Sequence, residues 1–167
     1  MLKLILLFFI IFSLNAKEPI LARLTNVVAN DIQRFSIGNS SFICEVYGVV
    51  SIEKVLRDKS SNSICVNSLI DFYKKNAQLQ YFTNQILEPQ QRYSIEFKKD
   101  KCIIYAKGQK TLSEILLEEG LATVELGFKD KEYRYAFKKA QIRARVAKKG
   151  MWSNSIRQKC LADLIGK

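Results

Sequence analysis

The segment from residue 111 to residue 153 carries two helix signals, and together they constrain the fold more than any other feature. Thr111, with Glu114 three residues later, forms a capping box, so the pattern predicts a helix that begins at Thr111 and ends at Gly120. A second helix is predicted over about 131–149, where apolar residues recur on one face. The remaining elements have to accommodate this pair of helices.

The second predicted helix has one apolar face and one basic face. The apolar residues, at alternating spacings of four and three, are Tyr133, Phe137, Ala140, Ala144 and Ala147. The basic residues are Arg134, Lys138, Lys139, Arg143, Arg145, Lys148 and Lys149. A basic stripe is typical of a nucleic-acid-binding surface, and it also occurs as a solvated helix face. Candidate nucleic-acid-binding residues are therefore Arg134, Lys138 and Arg145.

Residues 1–16 have the pattern of a secretory signal peptide, with Lys3 followed by an apolar run over Leu4–Leu14 and then the small residue Ala16. The apolar run is shorter than the about 20 residues of a bilayer-spanning helix, which disfavours an uncleaved anchor. We expect a bacterial protein that is periplasmic or secreted, and that is not an integral membrane protein after cleavage.

The four cysteines fit an exported protein, because an oxidising compartment permits two disulfides. They are Cys44, Cys65, Cys102 and Cys160. Three pairings are possible and the sequence does not choose among them. The chain has no histidine and no C-x-x-C motif, which excludes catalytic triads that use histidine and the common zinc sites. The net charge of +11 is compatible with nucleic acid, anionic lipid or an acidic partner.

The order of the remaining patterns predicts an α+β fold, a five-stranded OB-type barrel with about three helices packed around it. Predicted strands cover residues 21–28, 33–37, 41–50, 93–97 and 102–106. A helix is predicted over 77–88, ended by Pro89, and a short one over 67–75 in an otherwise polar segment. The predicted domain is 17–153, and a tail over 154–167 is expected to be helical from Ser155.

Several segments resemble the staphylococcal nuclease-like (thermonuclease) family. They are EGLATV, KAQIRARVAKKGMWS, QYFTNQILE followed by YSIEF, and IIYAKG. The resemblance implies the barrel fold and calcium-dependent hydrolysis of phosphodiesters. It also implies a site with carboxylates that hold the cation, a glutamate that activates water, and two arginines that bind the phosphate. The segment between Glu53 and Leu79 is longer than the usual family loop.

The chain departs from the site that the resemblance implies. Asp31 matches a metal-ligand aspartate, and Glu53 matches the general-base glutamate. Glu45 replaces the first arginine and Val50 replaces the second metal aspartate. Lys99 is the nearest cation to the position of the second arginine. Guanidinium groups supplied from elsewhere, such as those of Arg34 or Arg92, would restore a cation-lined cleft.

These departures favour a site that has lost catalysis. At about 4 Å and an effective dielectric constant of about 20, replacing attraction by repulsion changes each charge interaction by several kcal/mol. The leading hypothesis is therefore an exported, non-catalytic binding or structural module of the cell envelope, a pseudoenzyme with no cofactor. One alternative is a calcium-dependent nuclease acting on DNA or RNA, and another is a nucleic-acid-binding protein without cleavage. The expected partner is an envelope protein or nucleic acid.

The candidate acids also have plain structural interpretations. Asp31 is suited to end a strand or cap a turn, and Glu53 to cap the helix that follows. Glu45 is suited to pair with Lys99 or Lys101.

Overall fold

The computed structural model describes residues 18–153, together with residues 156, 159 and 160. The predicted signal peptide lies outside the described residues, as does most of the predicted tail over 154–167. Ile156, Lys159 and Cys160 have helical backbone conformation.

A closed five-stranded barrel forms the centre of the described chain and confirms the predicted fold class. The barrel consists of β1, β2, β3, β5 and β6. All eight strands of the described residues are β1 Ile20–Ala29, β2 Ile32–Ile37, β3 Ser40–Val46, β4 Val49–Ser51, β5 Arg92–Lys98, β6 Lys101–Lys107, β7 Lys110–Thr111 and β8 Ala122–Val124. The neighbours in the main sheet run β3-β2-β1-β5-β6-β7. A parallel pairing of β3 with β6, through Glu45 with Lys101 and Val46 with Cys102, closes the barrel. Strands β4 and β8 pair separately beside it.

Five α-helices surround the barrel within the described residues, more than the three expected. They are α1 Ile52–Arg57, α2 Ser63–Lys75, α3 Ala77–Gln80, α4 Leu112–Glu118 and α5 Arg134–Val146. Short 3₁₀ helices cover Phe82–Gln85 and Gly150–Trp152. Helix α2 begins earlier than the predicted 67–75 because the Asn62 side chain caps it by accepting a hydrogen bond from the Ile64 amide.

The predicted helix over 77–88 is wrong. The chain instead forms α3, then the 3₁₀ turn over Phe82–Gln85. Tertiary hydrogen bonds explain the break: the Thr83 amide donates to Asn30 Oδ1 and the Thr83 hydroxyl donates to the Asn30 carbonyl, both at 2.9 Å. Thr83 is fully buried, and a continuous helix over this segment would break both of its hydrogen bonds to Asn30.

Helices α4 and α5 confirm the signals of the 111–153 segment. The capping box of Thr111 and Glu114 is formed in both directions. Gly120 has φ of 68° and lies against the backbone of Lys149, so any side chain at that position would collide with it. On α5, Phe137, Ala140 and Ala144 are buried as predicted.

The cysteines pair as Cys44–Cys102 and Cys65–Cys160. The first disulfide joins β3 to β6 where the barrel closes, and the second joins α2 to the C-terminal tail. The structure thereby settles the pairing that the sequence left open. None of the helices among the described residues is long and apolar enough to cross a bilayer.

Candidate functional site

Asp31 lies in the turn between β1 and β2, and its carboxylate is held by two groups of the protein. The side chain is only 2% exposed. Ser51 Oγ donates to Asp31 Oδ2 at 2.6 Å. Arg57 adds a bidentate contact, with Nη1 3.1 Å from Oδ1 and Nη2 2.6 Å from Oδ2. Both carboxylate oxygens are therefore engaged by protein donors, and the main one is a guanidinium.

Helix α1 supplies both partners of Asp31, and its position follows from local sequence. Ser51 ends β4 and is the N-cap of α1, accepting a hydrogen bond from the Lys54 amide at 2.8 Å. Arg57 is the last residue of α1, so its side chain reaches back toward the barrel while remaining 42% exposed. The hydrogen bond to Asp31 is the main cause that raises the pKa of Arg57. One short helix thus carries the serine and the guanidinium to the same carboxylate.

Glu53, in the first turn of α1, is half-buried near Asp31 and held by different donors. Asn30 Nδ2 donates to Glu53 Oε1 at 2.5 Å, and the Tyr73 hydroxyl donates to the same oxygen at 2.7 Å. The other oxygen, Oε2, is buried with no hydrogen-bond partner among the described residues. Burial raises the pKa of Glu53, although the hydrogen bond from Tyr73 opposes the shift. Burial and the neighbouring Glu53 charge also raise the pKa of Tyr73.

Glu45, at the position of the first family arginine, pairs with Lys54 of α1 at 2.8 Å. The expected pairing with Lys99 or Lys101 is wrong. Lys101 instead lies 3.3 Å from Glu125, because its side chain points toward the segment after β8. Helix α1, which was not predicted, provides the cation that satisfies Glu45.

Lys99 is exposed in the turn between β5 and β6, with a positive φ of 60°. Across the described ranges, no hydrogen bond or ion pair connects it to Asp31 or Glu53. The structure therefore does not bring this candidate phosphate-binding cation to the two acids.

The three nucleic-acid-binding candidates, Arg134, Lys138 and Arg145, are all exposed on α5. The Arg145 guanidinium lies 5.2 Å from the centre of the Trp152 ring, a cation–π distance. No contact joins these residues to the Asp31 site in the part of the chain that the structure describes, so the two sets are separate features.

Sequence reasoning missed the groups that pair with the acids. They are Asn30, Ser51, Lys54, Arg57 and Tyr73. The available signal was the helix itself: a serine N-cap before Ile52–Arg57 places Glu53 and Arg57 one turn apart. The guanidinium that contacts Asp31 belongs to Arg57, which was not among the predicted site residues. Arg34 and Arg92, the two arginines considered from the sequence, are exposed.

The fold and site together define a small, disulfide-linked OB-type barrel with a polar cluster at the turn between β1 and β2. The family model described as staphylococcal nuclease homologue matches residues 58–154. That match covers more than half of the chain, so the protein belongs to the staphylococcal nuclease homologue family. A comparison with curated proteins found no match. The matched region begins after Arg57, so Asp31, Glu53, Ser51 and Arg57 precede it, whereas Tyr73 lies within it.

Proposed function

We propose that this protein is a non-catalytic member of its family, a binding or structural module of the cell envelope whose former metal position is filled by its own Arg57. The bidentate contact between Arg57 and Asp31 carries the proposal. In a calcium site, a carboxylate of this kind offers its oxygens to the metal. In this protein the Arg57 guanidinium already neutralises the Asp31 carboxylate.

The residues present do not fit a calcium ion. Asp31 is engaged at both oxygens, and the position of a second metal aspartate is the apolar Val50. Among the described residues, no three acidic, histidine or cysteine side chains converge in a way that would hold a metal ion. An ion that entered would have to displace Arg57 and break both of its contacts with the Asp31 carboxylate.

The environment of Glu53 also argues against a general base. A base must reach a water molecule or the reacting group with a free oxygen. Glu53 Oε1 accepts two hydrogen bonds, and Oε2 is buried away from solvent. This arrangement suits a structural acid that ties α1 to α2 and to the β1–β2 turn.

The two disulfides support a location outside the reducing cytoplasm, because such bonds persist in oxidising compartments. Together with the predicted signal peptide, they favour the periplasm or the extracellular space. The basic charge then favours an acidic partner surface in that location.

A cleavage assay tests the proposal. Purified oxidised protein is incubated with single- and double-stranded DNA and RNA, with calcium or with a chelator. Glu53→Gln is the matched control, since it removes the charge of the general-base position and keeps the shape. We expect no cleavage above that of Glu53→Gln in any arm. Calcium-dependent cleavage that Glu53→Gln abolishes would reject the proposal in favour of a nuclease.

The same samples distinguish the remaining functions. Retention of nucleic acid that falls steeply with salt, without cleavage, would assign a nucleic-acid-binding role. If nucleic acid is neither cut nor retained, capture of an envelope protein by the oxidised domain is the expected result.

A further inference from the structure

The outward face of α5 carries a row of exposed apolar side chains that the fold does not use. Tyr135, Ile142 and Val146 have 76%, 56% and 79% of their surface exposed. Their spacing of seven and then four residues places them in one row along the helix. The opposite face of α5 already fills the core, so packing does not explain these three residues.

Cations lie on both sides of this row. With about 100° of rotation per residue, one side holds Arg134, Lys138 and Arg145, and the other holds Lys139 and Arg143. Helix α5 contains no aspartate or glutamate. The face is therefore an apolar stripe between two basic rims.

The nearest carboxylates pair with only one cation of these rims, Arg143. Helix α4 packs beside α5, and its two acids there are Glu114 and Glu118. Glu114 is used in the capping box, and Glu118 pairs with Lys110 and with Arg143. Within residues 18–153, no carboxylate lies at ion-pair distance from Arg134, Lys138 or Lys139.

We propose that this face of α5 docks on the surface of an anionic lipid bilayer. A helix of 13 residues, about 20 Å long, would lie flat with its apolar row at the acyl boundary and its cations against lipid phosphates. Charge complementarity selects an anionic surface, and the apolar row selects a bilayer over nucleic acid, which would use only the cations. No residue of the Asp31 site belongs to this face, so the proposal stands apart from the question of catalysis.

Vesicle co-sedimentation tests the proposal with full-length oxidised protein. The vesicles are phosphatidylcholine alone or phosphatidylcholine with phosphatidylglycerol, at low salt. We expect partitioning only into vesicles that contain phosphatidylglycerol. Lys138→Gln/Lys139→Gln should lower the partition coefficient about thirtyfold, from the loss of two surface cations. Ile142→Ser/Val146→Ser should lower it at least about tenfold, from lost apolar burial.

Matched variants on α2 separate this face from net charge and general hydrophobicity. Lys74→Gln/Lys75→Gln removes the same charge elsewhere, and Ile64→Ser removes an isoleucine that is 60% exposed. Both should partition like the unchanged protein. Equal losses in the α2 and α5 variants would overturn the proposal, as would binding indifferent to Ile142→Ser/Val146→Ser or the absence of binding to phosphatidylglycerol vesicles. Retention of a DNA oligonucleotide without vesicle binding would also overturn it and assign the face to nucleic acid.

A tryptophan probe reports the docked face without weakening binding. Tyr135→Trp should be quenched by brominated lipid in phosphatidylglycerol vesicles, whereas Tyr81→Trp, at a tyrosine that is 61% exposed on another segment, should not. Quenching of both probes, or of neither in a sample that sediments with vesicles, would contradict docking through α5.

Discussion

The Asp31 site and the outer face of α5 both contain several charged residues, but they use them in opposite ways. At the Asp31 site the carboxylates of Asp31 and Glu45 are paired inside the protein with cations from α1. On α5, Lys138 and Lys139 have no carboxylate at ion-pair distance in the described chain. Charge that is already neutralised internally cannot serve a diffusing ion or substrate. An unpaired charge on the surface, in contrast, is available to bind a partner of opposite charge.

Burial explains why the two regions differ. A carboxylate as buried as that of Asp31 needs a partner, since an unpaired ion in a protein interior is strongly destabilising. Surface lysines stay solvated and need none. Arg57 provides that partner for Asp31.

The largest expected effect comes from removing that cation. Arg57→Leu leaves Asp31 charged, buried and bonded only to Ser51, so we expect the free energy of unfolding to fall by about 2–4 kcal/mol. This loss is smaller than the about 3–5 kcal/mol expected when one partner of a fully buried ion pair is removed, because Arg57 is 42% exposed and water can partly replace it. Urea denaturation of the oxidised protein at neutral pH measures the change.

Two variants control for this prediction. Asp31→Asn/Arg57→Leu removes both charges and should recover part of the loss. Arg143→Leu removes an arginine paired with Glu118 at the surface and should cost no more than about 1 kcal/mol. If the Arg57 and Arg143 variants lose the same stability, the contrast between buried and exposed pairing is wrong.

A smaller loss is expected at Glu53. Tyr73→Phe deletes the hydroxyl that donates to Glu53 Oε1 and keeps the ring, so the free energy of unfolding should fall by about 1–2 kcal/mol. Tyr81→Phe, at an exposed tyrosine, is the control and should change stability by less than about 0.5 kcal/mol. Thermal and urea unfolding provide the measurement, and equal effects in the two variants would show that the Glu53 cluster is not structural.

The pH dependence of stability gives a third test, with a definite sign. The pKa of folded Glu53 is raised above its ordinary 4.5, mainly by burial. Below the ordinary pKa both states are protonated, and as pH rises from there the unfolded state releases its proton first. Stability therefore falls between the ordinary and the folded pKa and levels off above the latter.

Comparison with Glu53→Gln isolates this contribution, because other titrations largely cancel in the difference. The stability of the unchanged protein minus that of Glu53→Gln should decrease over this pH window and then become constant. A difference for Glu53 that grows with pH would mean that the folded pKa is lowered, and would contradict the desolvated environment.

The sequence predicted the fold well because its signals were local. The capping box of Thr111 with Glu114, the glycine at 120 and the strand alternation each depend on neighbouring residues, and each is confirmed except over 41–50, where Gly48 with φ of 74° divides the predicted strand into β3 and β4. The helix predicted over 77–88 was wrong because Thr83 bonds to Asn30, which is 53 residues away in the chain. Local propensity carries no information about such a contact.

The candidate site was less predictable for the same reason. Matching to a family motif located Asp31 and Glu53 but gave no hint of Arg57, since its role arises only when α1 folds back on the β1–β2 turn. The disulfide pairing also depended on tertiary structure, because Cys65 and Cys160 are 95 residues apart. The resemblance therefore pointed to Asp31 and Glu53, and the structure identified the groups that contact them.

The smallest stability effect is expected on α5, where the surface lysines are unpaired within the described chain. Because Lys138 and Lys139 have no acidic partner in the described residues, Lys138→Gln/Lys139→Gln should leave the free energy of unfolding unchanged or raise it by a few tenths of a kcal/mol through reduced repulsion. Added salt should stabilise the unchanged protein slightly more than this variant, since screening relieves the same repulsion. Urea denaturation at low and high salt measures both quantities. A loss above about 1 kcal/mol would mean that these lysines hold the fold together, in which case the outer face of α5 is not free for a partner.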